Sequence, residues 1–175
     1  MEDGNFIEVD IFHAFCVFSC EVFGKFTTFA WFVRARIREH RNINDIKNKK
    51  IMKKVIATPD APKAVGPYSQ AIEVNGTLYI SGQIPVNPAD GKVQEDIVAA
   101  AHQSLKNIGA ILKEAGMTYD NVVKTTVLLA DIADFKAVNE VYAEYFTGDK
   151  PARACYQAAA LPLGVKVEIE AIAVR

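Results

Sequence analysis

The chain changes character near Met52, and that break limits which residues can share one core. Eight of the ten phenylalanines (Phe6, Phe12, Phe15, Phe18, Phe23, Phe26, Phe29 and Phe32) lie in the first 33 positions, whereas all seven prolines lie at or after Pro59. Residues 34–50 carry seven Lys/Arg against two acids. A membrane-spanning helix needs about 20 consecutive apolar residues. Here Glu8, Asp10, Glu21 and Lys25 interrupt the stretch, and the longest uncharged run is Ile11–Cys20. A secretory signal begins with positive charge, but this chain begins with Glu2 and Asp3, and a transit peptide is poor in acids. His13, Cys16 and Cys20 suggest part of a metal cluster, yet no second Cys/His pair stands at zinc spacing, so they read as ordinary apolar-segment residues. The expectation is that residues 1–51 are an extension outside the working domain, either a mis-assigned start or a disordered segment. Met52 followed by KKVIATPDAP reads as a natural beginning. The competing reading is an apolar anchor with a basic linker.

Residues 52–175 suit one domain. They carry 12 Lys/Arg against 14 Asp/Glu, hence −2, which gives no reason to expect a nucleic acid as partner. Three cysteines, two of them in the first twenty residues, make no disulfide framework. They fit a reducing compartment, and the location expected is the cytoplasm.

Patterning along this region predicts an α+β fold. Ala71–Asn75 and Thr77–Gly82 alternate as strands around Asn75-Gly76, a turn pair that tolerates positive φ. Leu78 and Ile80 then share one face, and Tyr79 and Ser81 the other. Residues 95–115 carry apolar side chains at Ile97, Ala101, Leu105, Ile108, Leu112 and Ala115, one helical stripe, with Gly116 as its stop. Residues 122–130 are rich in Val, Thr and Leu and read as a strand. Asp134 is placed to cap a second helix whose stripe is Phe135, Val138, Tyr142 and Tyr145. Residues 152–158 and 166–174 read as further strands, joined by a turn at Leu161-Pro162-Leu163-Gly164. The order is β-β-α-β-α-β-β, with one more strand at 54–57, and places two helices on one face of a mixed sheet. The other face needs cover if it is apolar, which self-association supplies.

Few residues carry chemistry. Arg153 is one of two arginines in the region, Arg175 being the other. Strand alternation puts Arg153, Cys155 and Gln157 on one face and Ala154 and Tyr156 on the other. A guanidinium fork matches a carboxylate through two parallel hydrogen bonds, although an Arg more often pairs with a local acid. In the last strand Val165, Val167, Ile169 and Ala171 oppose Glu168 and Glu170. A half-buried carboxylate there can hold a water; an ordinary solvated pair is the plainer alternative. Tyr68 lies in the rigid turn Gly66–Gln70, and Ser81-Gly82 ends a strand where a ligand can approach the backbone. A Cys155 nucleophile needs a base, and the region's one histidine, His102, sits on the polar side of a helix, so a buried thiol is the simpler reading. No phosphate loop, dinucleotide fingerprint or HExxH motif is present.

The segments GPYSQAI (66–72), ISGQIPVNPADGKV (80–93), VVKTTVLLADIADFKAVNEVY (122–142), PARACYQ (151–157) and VKVEIEAIAV (165–174) together resemble the RidA/YjgF family, the reactive intermediate deaminase A proteins. The likeness covers essentially all of 52–175 and nothing before it. The resemblance implies a chorismate-mutase-like fold, a homotrimer with a barrel-like centre, and active clefts between subunits. It implies hydrolysis of 2-iminobutanoate and 2-iminopropanoate to 2-oxo acids and ammonia, with no metal or other cofactor and no membrane partner. Carried over, the carboxylate-binding arginine is Arg153 and the pocket cysteine Cys155. The water-associated glutamate is Glu168, the pocket tyrosine Tyr68, the Ser-Gly turn Ser81 and Gly82, and the pocket asparagine Asn139. Arg153, Glu168 and Tyr68 are thus the expected catalytic residues. The chain departs from the family's usual pattern at Ala154 and Tyr156, which should face away from the ligand, and at Ala160, where an arginine is common. Two rivals remain: a sensor that binds 2-oxo or 2-imino acids without turnover, and a ribonuclease or translation inhibitor, which the charge disfavours.

The domain boundary is testable by intact-mass measurement on the native protein: the expected mass corresponds to a chain starting at Met52, and a mass matching all 175 residues would overturn the boundary.

Overall fold

The structure, a computed structural model, describes residues 52–175. The readings of the N-terminal apolar segment, its His13/Cys16/Cys20 group and the basic run lie outside the described residues. The elements are β1 (Lys54–Ile56), β2 (Ala71–Val74), β3 (Thr77–Gln83), α1 (Ile97–Glu114), β4 (Val122–Leu129), α2 (Phe135–Tyr145), β5 (Ala152–Gln157) and β6 (Val167–Val174). They form one six-stranded sheet of order β1-β2-β3-β6-β4-β5. Only β4 and β5 run parallel, joined through α2 as a β-α-β crossover; the other pairs are antiparallel.

The short-range signals act as the sequence suggests. Asn75 (φ 51°) and Gly76 (φ 79°) both take the left-handed conformation that a two-residue hairpin turn requires, and Val74 pairs with Thr77 across it. Asp96 caps α1 by accepting a hydrogen bond from the Ala99 amide at 2.9 Å. Past the end of α1, Gly116 turns at φ 69°. One cap differs from expectation. Asp134 itself lies in helical geometry and makes no side-chain cap bond. Asp131, three residues earlier, accepts from the Ala133 amide at 2.9 Å and starts a single 3-10 turn that leads into α2. That turn moves the chain reversal upstream.

Both helices cover one face of the sheet. Leu78 and Ile80 of β3, Val127 and Leu129 of β4, and Val167, Ile169, Ala171 and Ala173 of β6 are buried on that face. Against them pack Leu105, Ile108, Ile111 and Leu112 of α1 and Val138, Val141 and Tyr142 of α2. Phe135, expected in the core stripe of α2, is instead 40% exposed, and Val141 takes a core place. Tyr119, Tyr142, Tyr145 and Phe146 form an aromatic cluster in which Tyr119 meets Tyr145 and Phe146 edge to face and Tyr142 meets Phe146 at a tilt. Among the described residues no helix packs on the opposite, outer face, which carries Val55, Tyr79, Tyr156 and Val174 in exposed positions.

Two buried amides tie the loops to this frame. Gln70 accepts from the Thr58 amide (2.7 Å) and donates to the carbonyls of Thr58, Ala61 and Pro62, fixing the segment before β2. Asn107 on α1 donates to the carbonyls of Ile84 and Val86, fixing the loop after β3. Such groups are stabilising because leaving them unpaired in the core costs about 1–3 kcal/mol each.

Packing also decides the sign of one helix substitution. An added methyl normally favours a helix by about 1 kcal/mol over glycine. At Gly109 a Cβ would fall on the Tyr119 hydroxyl and 3.0 Å from its Cζ, and that ring is wedged against Tyr145 and Phe146 while its hydroxyl donates to the Leu105 carbonyl at 2.7 Å. Gly109→Ala should therefore lower stability by about 1–3 kcal/mol, read as a shift of the urea midpoint; a stabilised variant would show that the Tyr119 ring moves freely.

Candidate active site

The candidate residues fall into two groups, and strand register keeps them apart. In the parallel pair, Thr125 aligns with Arg153 and Val127 with Cys155. Directly paired residues share a face. Thr125 and Val127 are buried under the helices, so Arg153 and Cys155 lie on the helix-covered face at the β5 edge of the sheet. In the antiparallel pair, Leu128 aligns with Glu168 and Thr126 with Glu170. These positions alternate with the buried ones, so Glu168 and Glu170 point to the outer face. Arg153 and Glu168 of one chain are thus separated by the sheet itself.

The Arg153 half is built by β4, β5 and α2. The guanidinium carbon lies 4.7 Å from the ring centroid of Tyr142 and 5.6 Å from that of Phe135. Phe135, Asn139 and Tyr142 share one face of α2, being four and three residues apart, and Asn139 is half-buried there. Cys155 is half-buried against the core, and burial pushes its thiol up from its ordinary value, with Arg153 opposing the shift. The thiol therefore stays protonated near neutral pH and is no ready nucleophile. His102 Nδ1 pairs with the Tyr145 hydroxyl at 3.0 Å, and among the described residues no hydrogen bond joins His102 to Cys155.

The two arginines of the domain differ in their partners. Arg175 pairs with Glu73 at 3.0 Å and donates to the Ala115 carbonyl at the end of α1 at 2.6 Å. Arg153 enters no ion pair among the described residues. The local-acid alternative thus holds for Arg175, while Arg153 keeps a fork able to receive an external carboxylate.

The Glu168 half is built by β3, β6 and the turn before β2. The pairing between β3 and β6 shifts between Ile80 and Gln83, a bulge that contains Ser81 and Gly82. Ser81 Oγ donates to the Ser69 carbonyl at 2.7 Å and its amide donates to the Gln70 carbonyl at 3.0 Å, binding the Tyr68 turn to the bulge. Tyr68 is about half exposed. Glu168 lies against Gly82: a Cβ there would sit 2.8 Å from its Cδ and 3.0 Å from its Cγ, inside the shell of its carboxylate oxygen. Burial first, and Glu170 second, push the Glu168 carboxyl above its ordinary value.

Residues 58–175 match the protein family described as Endoribonuclease L-PSP. The chain belongs to that family, which the motifs identify as RidA/YjgF. Among its relatives, the "2-iminobutanoate/2-iminopropanoate deaminase" of Mus musculus is 60% identical over 126 residues, 71% of this chain and 93% of that protein. The protein of the same name from Homo sapiens is 56% identical over the same share of this chain and 92% of its own length. Among solved structures, the YjgF gene product of E. coli superposes with a TM-score of 0.68 at 49% identity, covering 70% of this chain and 98% of that one. E. coli TdcF with bound serine gives a TM-score of 0.68 at 44% identity over the same shares. These likenesses establish the mixed α+β sheet with two helices as a RidA/YjgF architecture.

Sequence reasoning missed Thr125, Phe135 and Tyr142 as neighbours of Arg153. Tyr142 and Phe135 were legible as an i, i+7 aromatic pair, but only the β4–β5 pairing aims the arginine at them.

The Gly82 clearance is testable. Gly82→Ala should displace the Glu168 carboxylate and lower kcat/KM by at least tenfold with the fold intact, as seen in a crystal structure of the variant; native activity with an unmoved Glu168 would refute it.

Proposed function

We propose that this protein hydrolyses reactive 2-imino (enamine) acids, 2-iminobutanoate and 2-iminopropanoate, to 2-oxo acids and ammonia. The observation that carries this reading is Arg153: a cation held on aromatic rings beside a protonated thiol, without an acid partner among the described residues. It is a receptor for a small carboxylate. The deaminase names borne by relatives at 56–60% identity support the same activity.

The chemistry asks little of the protein. The C2 carbon of an imine is already electrophilic, and each tenfold of rate needs about 1.4 kcal/mol. Arg153 fixes the substrate carboxylate and reduces the entropic part of the barrier. Glu168, ionised, orients a water that attacks C2, accepts a proton from it, and passes a proton to nitrogen as the carbinolamine collapses to the 2-oxo acid and ammonia. Tyr68 hydrogen-bonds the imine or the carbinolamine. Ser81, Gly82, Cys155 and Asn139 line the substrate. All of this uses residues of the 52–175 domain alone; no metal or cofactor takes part, and the reaction suits the cytoplasm.

The two halves meet only if two copies supply them. Our reading is a chorismate-mutase-like homotrimer in which the outer sheet faces pack together. The Arg153, Cys155 and Asn139 half of one subunit then faces the Glu168, Gly82, Ser81 and Tyr68 half of the next. The exposed Tyr79, Tyr156 and Val174 support this, since apolar side chains exposed on the same face as Glu168 call for cover. The family description, Endoribonuclease L-PSP, favours a second reading, RNA cleavage. The domain charge of −2, from 12 Lys/Arg and 14 Asp/Glu, weighs against phosphate binding. No membrane partner is proposed.

The deciding assay generates the imine in situ from threonine with a pyridoxal-phosphate dehydratase and follows 2-oxobutanoate. The protein should accelerate its appearance, and Arg153→Ala should nearly abolish the effect with oligomeric state unchanged. An unaccelerated reaction, with 2-oxobutanoate still bound, would favour the sensor; RNA cleavage would favour the nuclease. Because the acid acts ionised and its carboxyl is raised, kcat/KM should fall as pH drops through a value above that of a free glutamate, and Glu168→Gln should remove that limb along with most of kcat. Co-refolded Arg153→Ala and Glu168→Gln chains, each poor alone, should recover about a quarter of native activity, the statistical share of sites with both residues intact. A site within one chain would recover none.

A further inference from the structure

We propose that Tyr142 is a positioning residue that holds the Arg153 guanidinium as a carboxylate receptor, with Thr125 satisfying its buried hydroxyl and Phe135 as the outer wall of the same platform. This rests on the reading that Arg153 binds the substrate carboxylate, and it adds how a lone cation is kept aimed and unoccupied.

Three contacts carry it. Thr125, fully buried, is the register neighbour of Arg153 in the parallel β4–β5 pair. Its Oγ1 lies 2.7 Å from the Tyr142 hydroxyl, so the two buried hydroxyls satisfy each other. The Tyr142 ring is backed by Phe146, with centroids 4.4 Å apart, so it cannot retreat. The same ring meets the guanidinium carbon of Arg153 at 4.7 Å from its centroid, and Phe135, two turns earlier on the same helix face, meets it at 5.6 Å.

The physical reason for rings rather than an acid follows from what the fork must do. A carboxylate partner would occupy the in-plane N–H donors that the substrate needs. An aromatic face attracts the cation through its quadrupole and leaves those donors unused. It also limits the rotamers of a long side chain, so less freedom is lost on binding. The device is a preorganised receptor whose grip depends on ring faces two residue layers away from the ligand. Tyr142 needs its hydroxyl only to satisfy Thr125; the guanidinium needs only the ring.

The test uses full-length protein and 2-oxobutanoate as probe. Calorimetry should give a Kd about five- to thirtyfold weaker for Tyr142→Leu and about two- to fivefold weaker for the more exposed Phe135→Leu. In the imine assay KM should rise with kcat less affected, because a saturated Arg153 still holds the substrate in place. The double variant Tyr142→Phe/Thr125→Val keeps the ring and removes both hydroxyls, so its Kd should return to within about twofold of native. A merely structural role for Tyr142 would lower stability without this KM-selective pattern. An independent readout is the Arg153 Hε proton resonance, which a ring face shifts upfield. It should be shifted in the native protein and in the double variant, and lose most of the shift in Tyr142→Leu. Native Kd in both leucine variants, or an unshifted Hε in the native protein, would overturn the platform. If native protein binds no 2-oxobutanoate while Hε is shifted as expected, the platform stands and the carboxylate reading of Arg153 fails instead.

Discussion

The alignment of β4 with its two neighbours governs everything functional in this domain. β4 sets Thr125 against Arg153 on one side and Leu128 against Glu168 on the other. Since successive residues of a strand face opposite sides, this register sends the guanidinium under the helices and the carboxylate to the outer face. A slip of one residue in the β4–β6 pairing would exchange the faces of β6, burying a glutamate and exposing the valines that fill the core. The hydrophobic pattern of β4 and β6 forbids the slip, so packing energy and site geometry are enforced by the same contacts.

Each half of the site is held in a condition that folding alone would not favour. Arg153 lacks the acid that Arg175 has in Glu73 and is held on ring faces instead. Glu168 is pressed against a glycine beside Glu170, where burial disfavours its charge. Both arrangements leave interaction capacity unspent within the chain, which is how a protein keeps it for a ligand. The surrounding frame is in contrast well satisfied: Gln70 and Asn107 pair their buried amide groups with loop carbonyls, and those loops lead directly to Tyr68 and away from Gly82.

The separation of the halves makes assembly part of the proposed chemistry rather than an addition to it. A monomer would hold substrate by its carboxylate with no water-orienting acid nearby. In the proposed trimer the outer sheet face and the incomplete site are answered by the same event, so association energy from the sheet face would also bring the catalytic groups together. The protonated state of Cys155 fits a lining role better than a nucleophilic one, in agreement with hydrolysis that proceeds without a covalent intermediate.

What the sequence determined by itself was local. The Asn75-Gly76 turn, the stripe of α1 and its glycine stop, and the alternation of β5 and β6 depend on neighbours within a few residues, where propensity and periodicity act directly. The motifs located the candidate residues and the family. Other features needed the assembled sheet. The cap of α2 moved to Asp131 because a 3-10 turn precedes the helix; Phe135 lies outside the core with its ring against the Arg153 guanidinium; and no pattern could say that β5 lies parallel beside β4. Strand partners are chosen by burial summed over residues far apart in the chain. Which side chains meet Arg153, and the sheet standing between it and Glu168, were therefore decided only by the tertiary structure.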